Sequence, residues 1–326
     1  MIVNKAAGLK SAFYLFPGQG AQYSGMALDL LEKSERVKCL FSTASEINGK
    51  DMTDLLGNSN PETLKKADVA QPTITLANLA AAAYLAEKGV KPVGCAGFSL
   101  GEYAALAVSG VITIEECFSL VKERGKAMQA AIDSMKDEGS GMAAVIGLAY
   151  AQVEALLAEL ERDGLSYLYA ANINSPKQIV VSGSAGALEE AEKHFKAAGA
   201  RHFIRLDVAG PFHSPFMKEA ADAFVPALEK VKFKDPFIPV YSNVTGKQIR
   251  SGTEAKTLAI QHITEAVRWT DEEAAIEAAG GMECLLETGP GKVLQGLWKH
   301  TGSTLPCYAA GTAAEINGLV NNGNGK

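Results

Sequence analysis

"PVGCAGFSLGEYAALAVSG", residues 92–110, decides the fold. The apolar run up to Gly97 reads as a strand, and "SLGEYAALAVSG" as a helix stopped by Gly110. Between them lies Gly97-Phe98-Ser99-Leu100-Gly101, a G-x-S-x-G pattern at a strand-to-helix junction. Its glycines relieve crowding around a sharp turn, so Ser99 stands exposed at the helix N-terminus. The Leu100 N–H is then aimed at the oxygen of an attacked carbonyl. Five-residue matches of this kind arise by chance, but the strand before and the helix after favour a nucleophile.

Outward from this junction the chain alternates strand and helix patterns. "SAFYLF" (11–16) reads as a strand, followed by a helical pattern in "MALDLLEKSERVKCLF" (26–41). "QPTITLANLAAAAYLAEKG" (71–89) reads as a helix ending at Gly89. "TIEECFSLVKERGKAMQAAIDSM" (113–135) is another, with Thr113 and Glu116 forming a capping box. This alternation predicts an α/β class with a mainly parallel sheet covered on both faces. "KDEGSG" (136–141) reads as a linker, after which the rhythm changes. Residues 142–208 follow a β-α-β-β-α-β order, the split ferredoxin-like unit. The expected division is a large domain over 1–138 and 209–326 with a small one, 139–208, inserted in it. Beyond 208 come a loop (209–215), a helix, the strand "IPVYSNV" (238–244), a helix, the strand "ECLLETG" (283–289) and a last helix near "PGKVLQGLWKHTG" (290–302). The tail "NNGNGK" (321–326) is expected to lack fixed structure.

Bulk properties exclude several classes of function. The 326 residues carry a net charge of −6, without the basic field that nucleic acid requires. The N-terminal apolar stretch is too short for a signal sequence, and no segment reaches about 18 continuous apolar residues. A cytoplasmic protein with no membrane and no nucleic-acid partner is expected. Cys39, Cys95, Cys117, Cys284 and Cys307 are odd in number and contain no CxxC pair. They read as reduced thiols, neither a disulfide framework nor a metal site.

A serine nucleophile needs a base. His194 lies on a charged helix face, His202 starts a strand, His300 is near a helix end, and His262 sits in "AIQHITEAVRW" (259–269). His213, in "VAGPFHSPFM" (208–217), is braced by Gly210, Pro211 and Pro215 just beyond a strand. That placement suits a positioned base, although a histidine bonding only its own loop has the same signature. Arg124 falls on or beside the apolar stripe marked by Cys117, Val121 and Met128. A buried guanidinium must pair with an internal carboxylate, clamp a substrate carboxylate or snorkel outward. Helical spacing does not choose among these. "FPGQGAQYSGM" (16–26) fails both phosphate-loop templates. Tyr23 replaces the third glycine of G-x-G-x-x-G, and Met26 and Ala27 replace the Lys and Ser/Thr of the Walker loop. A loop after a neighbouring strand can instead supply a second oxyanion donor.

"FPGQGAQYSGM", "GFSLGEYAAL", "ERGKAMQ", "NINSPKQIVVSG", "PFHSPFM", "VRW" and "ETGPGKVLQGL" together resemble the malonyl-CoA:acyl-carrier-protein transacylase family, in order, from about residue 13 to 312. The resemblance implies an α/β-hydrolase-like large domain with an inserted ferredoxin-like domain. It implies ping-pong malonyl transfer from malonyl-CoA to acyl carrier protein in fatty acid synthesis, through a malonyl-serine. No cofactor is implied, and a monomer is expected. Ser99 and His213 become a catalytic dyad, Gln19 and Leu100 the oxyanion donors, and Arg124 the ligand of the malonyl carboxylate. The residue that orients the histidine falls at Gln261 or His262; the family commonly has glutamine where His262 stands. Asn172 and Asn174 fall where the small domain meets the cleft, or serve only as turn residues. Phe98 replaces the family's usual histidine, and Phe98 and Phe212 would border the acyl group, with Phe212 crowding an α-methyl. A trans-acting polyketide acyltransferase shares every motif, and a plain serine esterase is the alternative from another class.

Overall fold

Two sheets of different character organise the chain in the computed structural model, which describes residues 8–135, 139–208 and 210–321. β1 (Ser11–Phe16) pairs in parallel with β2 (Lys91–Gly97) on one side and β9 (Leu285–Glu287) on the other, and β10 (Cys307–Ala309) adds beyond β9. The strand order is β10-β9-β1-β2. Both faces of β1 are buried. Ala12, Tyr14 and Phe16 join the larger apolar cluster, while Phe13 and Leu15 point into the smaller one opposite. A strand covered on both faces can be continuously apolar, as "SAFYLF" is.

The Ala67–Glu87 helix is buried almost along its whole length and packs beside the Ile114–Ser134 helix. It begins four residues before the predicted start, so Pro72 lies inside it. The missing N–H removes one backbone hydrogen bond, a loss outweighed by burial of apolar residues all round. The Thr113–Glu116 capping box is present, with both reciprocal bonds made.

β3 (Ser140–Ile146), β4 (Leu168–Ser175), β5 (Gln178–Ser184) and β6 (His202–Arg205) form an antiparallel sheet in the order β4-β5-β3-β6. Helices Tyr150–Arg162 and Ala185–Ala197 pack on it around their own core. A two-stranded ribbon, β7 (Tyr241–Ser242) with β8 (Lys247–Gln248), lies beyond β2, and Val240 bridges to Cys95.

Several element bounds differ from the sequence expectation. Residues 136–138 of the expected linker lie outside the described residues, and Ser140 and Gly141 already pair with Ser184 and Gly183. The 26–41 pattern is two helices, Leu28–Leu31 and Glu35–Asn48, because the Ser34 hydroxyl caps the second by accepting from the Val37 N–H. The helix near 290–302, Val293–Trp298, is not the last element. β10 and an Ala313–Asn321 helix follow; a three-residue strand carries too little periodicity to be seen in a sequence. Residues 322–326 of the tail lie outside the described residues.

Candidate active site

The turn between β2 and the Gly101–Val108 helix is as tight as its glycines suggest. A Cβ at Gly97 would lie 2.0 Å from the Gly101 carbonyl carbon, and one at Gly101 would lie 2.0 Å from the Phe16 carbonyl oxygen. Ser99, at the apex, has φ +49°. A left-handed conformation costs a non-glycine residue about 1–3 kcal/mol and persists only where its surroundings enforce it. One enforcing contact is the Ser99 N–H, which donates to Asn243 Oδ1 at 2.6 Å. The hydroxyl stands 2.7 Å from His213 Nε2.

His213 is buried, also has a positive φ, +54°, and is held by its loop. The Ser182 hydroxyl on β5 donates to the Phe212 carbonyl (2.6 Å), and the Ser214 hydroxyl donates to the Pro211 carbonyl (2.5 Å). The ring Nδ1–H donates to the Glu265 carbonyl at 3.0 Å, which leaves Nε2 as the acceptor facing Ser99. Burial is the main force lowering the ring's pKa, to about 4, and the Arg124 charge adds to it; backbone groups of Glu265 and His262 pull the other way. The imidazole is therefore neutral at neutral pH, with the Nε2 lone pair free to accept a proton.

The orienting hydrogen bond goes to the Glu265 carbonyl, just beyond the expected Gln261–His262 segment, and a backbone group of His262 also acts on the ring. Gln261 is exposed, and its carbonyl accepts from the N–H groups of Thr264 and Glu265 (3.1 Å each), shaping the turn that presents the acceptor. The buried His262 ring stands edge-on to His213, centroids 5.8 Å apart, with its Nε2 bonded to Asn243 Oδ1 at 3.2 Å. Glu102 lies 3.6 Å from the same Nε2. Burial lowers the histidine's pKa and raises that of Glu102 to about 8, so the pair is neutral and not ionic. Of the other histidines, His194, His202 and His300 are exposed.

The loop after β1 presses against this turn. A Cβ at Gly18 would meet the Phe98 carbonyl oxygen at 2.3 Å, a contact only glycine allows. Asn78 Nδ2 donates to the Pro17 carbonyl, Gln19 Nε2 to the Lys65 carbonyl, and Gln22 Oε1 accepts the Gly20 N–H at 2.7 Å. Gln19 and Leu100 both line the cleft with Ser99, and among the described residues no group accepts from either backbone N–H.

Arg124 is buried with only part of its guanidinium engaged. Nη1 donates to Gln71 Oε1 at 3.0 Å, and the group lies over the Tyr103 ring, 5.5 Å from its centroid. Nε and Nη2 have no partner. Burial lowers the pKa of Arg124, but a guanidinium stays charged at neutral pH. The nearby Glu102 is held protonated by its own burial, so the cation lacks a permanent internal counter-charge. Snorkelling and internal ion pairing, both open from the helical spacing, are not what the fold adopts.

Ser99, His213, Arg124, Gln19, Leu100, Phe98, Phe212, Asn172 and Asn174 all border one cleft of about 390 Å³. Phe98 packs on Trp269, ring centroids 5.4 Å apart. The cleft runs between the two sheets. β4 joins the larger unit where the Ile173 N–H donates to the Val267 carbonyl (2.8 Å) and the Val267 N–H donates to the Ala171 carbonyl (2.9 Å). Asn243, Glu265, Gln71 and Ser182 are not singled out by the sequence. Glu265 acts through its backbone, which no side-chain pattern signals, and the others are brought near only by folding. Among the described residues, no group of three His, Cys, Asp or Glu could hold a metal ion, and no helix is long and apolar enough to cross a membrane.

The sequence profile of the family described as "Acyl transferase domain" matches residues 13–323. The malonyl CoA-acyl carrier protein transacylase of Escherichia coli K12 is 38% identical over 298 residues, covering 91% of this chain and 94% of that one. Its namesake from Bacillus subtilis strain 168 is 34% identical over 91% of this chain and 92% of its own. Among solved structures, the malonyl CoA-acyl carrier protein transacylase of Coxiella burnetii superposes with a TM-score of 0.89 at 31% identity, covering 97% of this chain and 98% of that one. A malonyl-transacylase solved in complex with its type II polyketide acyl-carrier protein gives a TM-score of 0.89 at 35% identity, covering 96% of this chain and 99% of that one.

Proposed function

The chain belongs to the acyl transferase domain family, and from that premise we propose that it moves a malonyl group from malonyl-CoA to the phosphopantetheine thiol of acyl carrier protein. The observation that carries the substrate class is Arg124. A buried guanidinium with two unpartnered nitrogens, in the same cleft as a serine–histidine dyad, suits a carboxylate on the acyl group.

His213 Nε2 takes the Ser99 proton as Oγ attacks the thioester carbonyl. The backbone N–H groups of Gln19 and Leu100 meet the oxygen that gains charge. Collapse breaks the carbon–sulfur bond, and His213 returns the proton to the CoA thiolate, leaving malonyl-Ser99. In the second half, His213 accepts the carrier thiol's proton while the sulfur attacks the ester. The carbon–oxygen bond breaks, and Ser99 recovers its proton from His213. Arg124 holds the free carboxylate throughout, Asn172 and Asn174 line the cleft, and Phe98 and Phe212 border the acyl group.

The large unit, 1–138 with 209–326, is α/β-hydrolase-like, and 139–208 is an inserted ferredoxin-like domain. Its separate sheet and the apolar cluster between that sheet and its two helices support this division, while the other face of the sheet (Met142, Ala144, Ala171, Val180) joins the larger core. The enzyme works in the cytoplasm as a monomer, needs no cofactor and serves fatty acid synthesis. Service to a polyketide carrier is the second reading, favoured by the polyketide carrier bound to one structural neighbour. Intact mass spectrometry after incubation with malonyl-CoA tests the chemistry. The wild-type protein should gain one malonyl group, lose it to holo carrier protein, and fail to gain it as Ser99→Ala. An adduct of the same mass on Ser99→Ala would overturn the nucleophile assignment.

A further inference from the structure

Asn243 plays no part in the reaction above, yet its side chain makes four hydrogen bonds around the nucleophile. Oδ1 accepts from the Ser99 N–H (2.6 Å) and from His262 Nε2 (3.2 Å). Nδ2 donates to the Gly97 carbonyl (2.7 Å) and to Glu272 Oε1 (2.6 Å). We propose that Asn243 is a positioning residue that staples the Gly97–Ser99 turn and so holds the Ser99 hydroxyl against His213.

A single planar amide spans both ends of the strained turn, with its acceptor on one side and its donor on the other. The Gly97 carbonyl lies at the end of β2, and the Ser99 N–H precedes the following helix, so each needs a partner from outside those elements. The asparagine is itself immobile. Its backbone N–H donates to Glu102 Oε2 (2.7 Å), in the first turn of the helix that Ser99 introduces, and its carbonyl accepts from the Arg268 N–H (2.8 Å). Side chain and backbone thus tie the turn, the nucleophile's helix and the Trp269–Ala279 helix to one fully buried residue. Without the staple, Ser99 is free to leave its positive φ, and its hydroxyl swings away from Nε2.

The proposal rests on Ser99 being the nucleophile, so Ser99 reactivity is read with a small phosphonofluoridate that carries no carboxylate and does not call on Arg124. Asn243→Asp discriminates between staple and simple packing. Around position 243 stand Glu102, His262 and Glu272, with the Arg124 charge acting on Glu102. When protonated, the introduced carboxyl can accept from the Ser99 N–H and donate its O–H to the Gly97 carbonyl. When ionised, it repels that carbonyl and Glu272.

The labelling rate of Asn243→Asp relative to wild type should be near unity at pH 6. It should fall on the order of 100-fold by about pH 9, while the KM for malonyl-CoA stays within about threefold because Arg124 is untouched. A relative rate that does not change with pH overturns the staple. In the wild-type protein, the Ser99 amide proton should be downfield-shifted and slow to exchange in NMR. Exchange as fast as in a free turn overturns the proposal even if the variant does not fold. Labelling that persists in Ser99→Ala would instead refute the nucleophile reading on which the staple rests.

Discussion

The two sides of the Ser99 turn differ in how their polar groups are used. Behind it, the Asn243 amide has a partner at every position, and Glu102 and Glu272 each accept a hydrogen bond from that residue. In front, the backbone N–H groups of Gln19 and Leu100 are unclaimed among the described residues, and two nitrogens of Arg124 are buried without partners. Buried polar groups left unpaired are expensive, and those that face the cleft stand where a ligand can complete them. Behind the turn the filled amide of Asn243 holds geometry, with only His262 Nδ1 and Glu272 Oε2 beside it left without partners among the described residues; in front, the open groups face the cleft that receives substrate. Charge follows the same division, since the buried groups behind the turn are neutral and the one in front is a cation.

The contrast breaks most severely at Arg124. Arg124→Ala removes the unmatched cation, so kcat/KM for malonyl-CoA should fall by an amount worth about 2–5 kcal/mol, while transfer from acetyl-CoA is kept or improved. Steady-state assays with both thioesters check this, and equal loss of both would make Arg124 structural.

The neutral side is tested by the pH dependence of stability. Burial raises the pKa of Glu102 and of Glu273 to about 8, and that of Glu272 well above its usual value. These carboxyls stay protonated in the folded chain where the unfolded chain has released its protons. Their stabilisation is complete below the usual value of 4.5 and is lost as pH rises through about 8. The buried histidines act oppositely, because their folded pKa is lowered: the stability linked to neutral His213 and His262 is present above 6.5 and lost on acidification. Between about pH 6.5 and 8 only the carboxyls contribute, so stability should decline. Glu102→Gln should make that decline shallower by up to about 1.4 kcal/mol per pH unit at the lower end of this range, and by roughly half of that near pH 8. Urea unfolding at about pH 6.5, 7.2 and 8 measures the slopes, and parallel slopes would mean Glu102 is ionised in the fold.

The smallest effect belongs to the apolar wall. Phe212, buried beside His213, lines the cleft, and under the proposed function it crowds an α-methyl. Phe212→Ala should raise the methylmalonyl-to-malonyl ratio of kcat/KM by roughly 5- to 10-fold, about 1 kcal/mol, as expected for one methyl in a pocket. Competition between the two CoA esters, read by mass, would show an unchanged ratio if the methyl points elsewhere.

Much of the site is legible because its chemistry is written in side chains at local spacings. Ser99 is marked by its flanking glycines, His213 by a loop braced with glycine and prolines, and Arg124 by its place on an apolar stripe. The 17–20 loop is recognisable through its failure as a phosphate loop, and in the fold the Gln22 side chain braces it by accepting the Gly20 N–H. Groups that act through backbone atoms are not legible. The carbonyl that orients His213 belongs to Glu265, and any residue there could present it. Short or interrupted elements escape for a related reason: β10 has three residues, and Pro72 conceals the start of a buried helix.

From its residues alone, this chain determined the α/β alternation, the strand–turn–helix that displays Ser99 and the types of group its chemistry needs, because these depend on neighbours within a few positions. Only the tertiary structure decided that Arg124 neither snorkels outward nor pairs with an internal carboxylate, which carbonyl orients His213, and that Asn243, 144 residues from Ser99 along the chain, lies against its N–H. Those outcomes depend on which groups burial leaves paired and which unpaired, and pairing between distant residues exists only once the sheets and helices have packed.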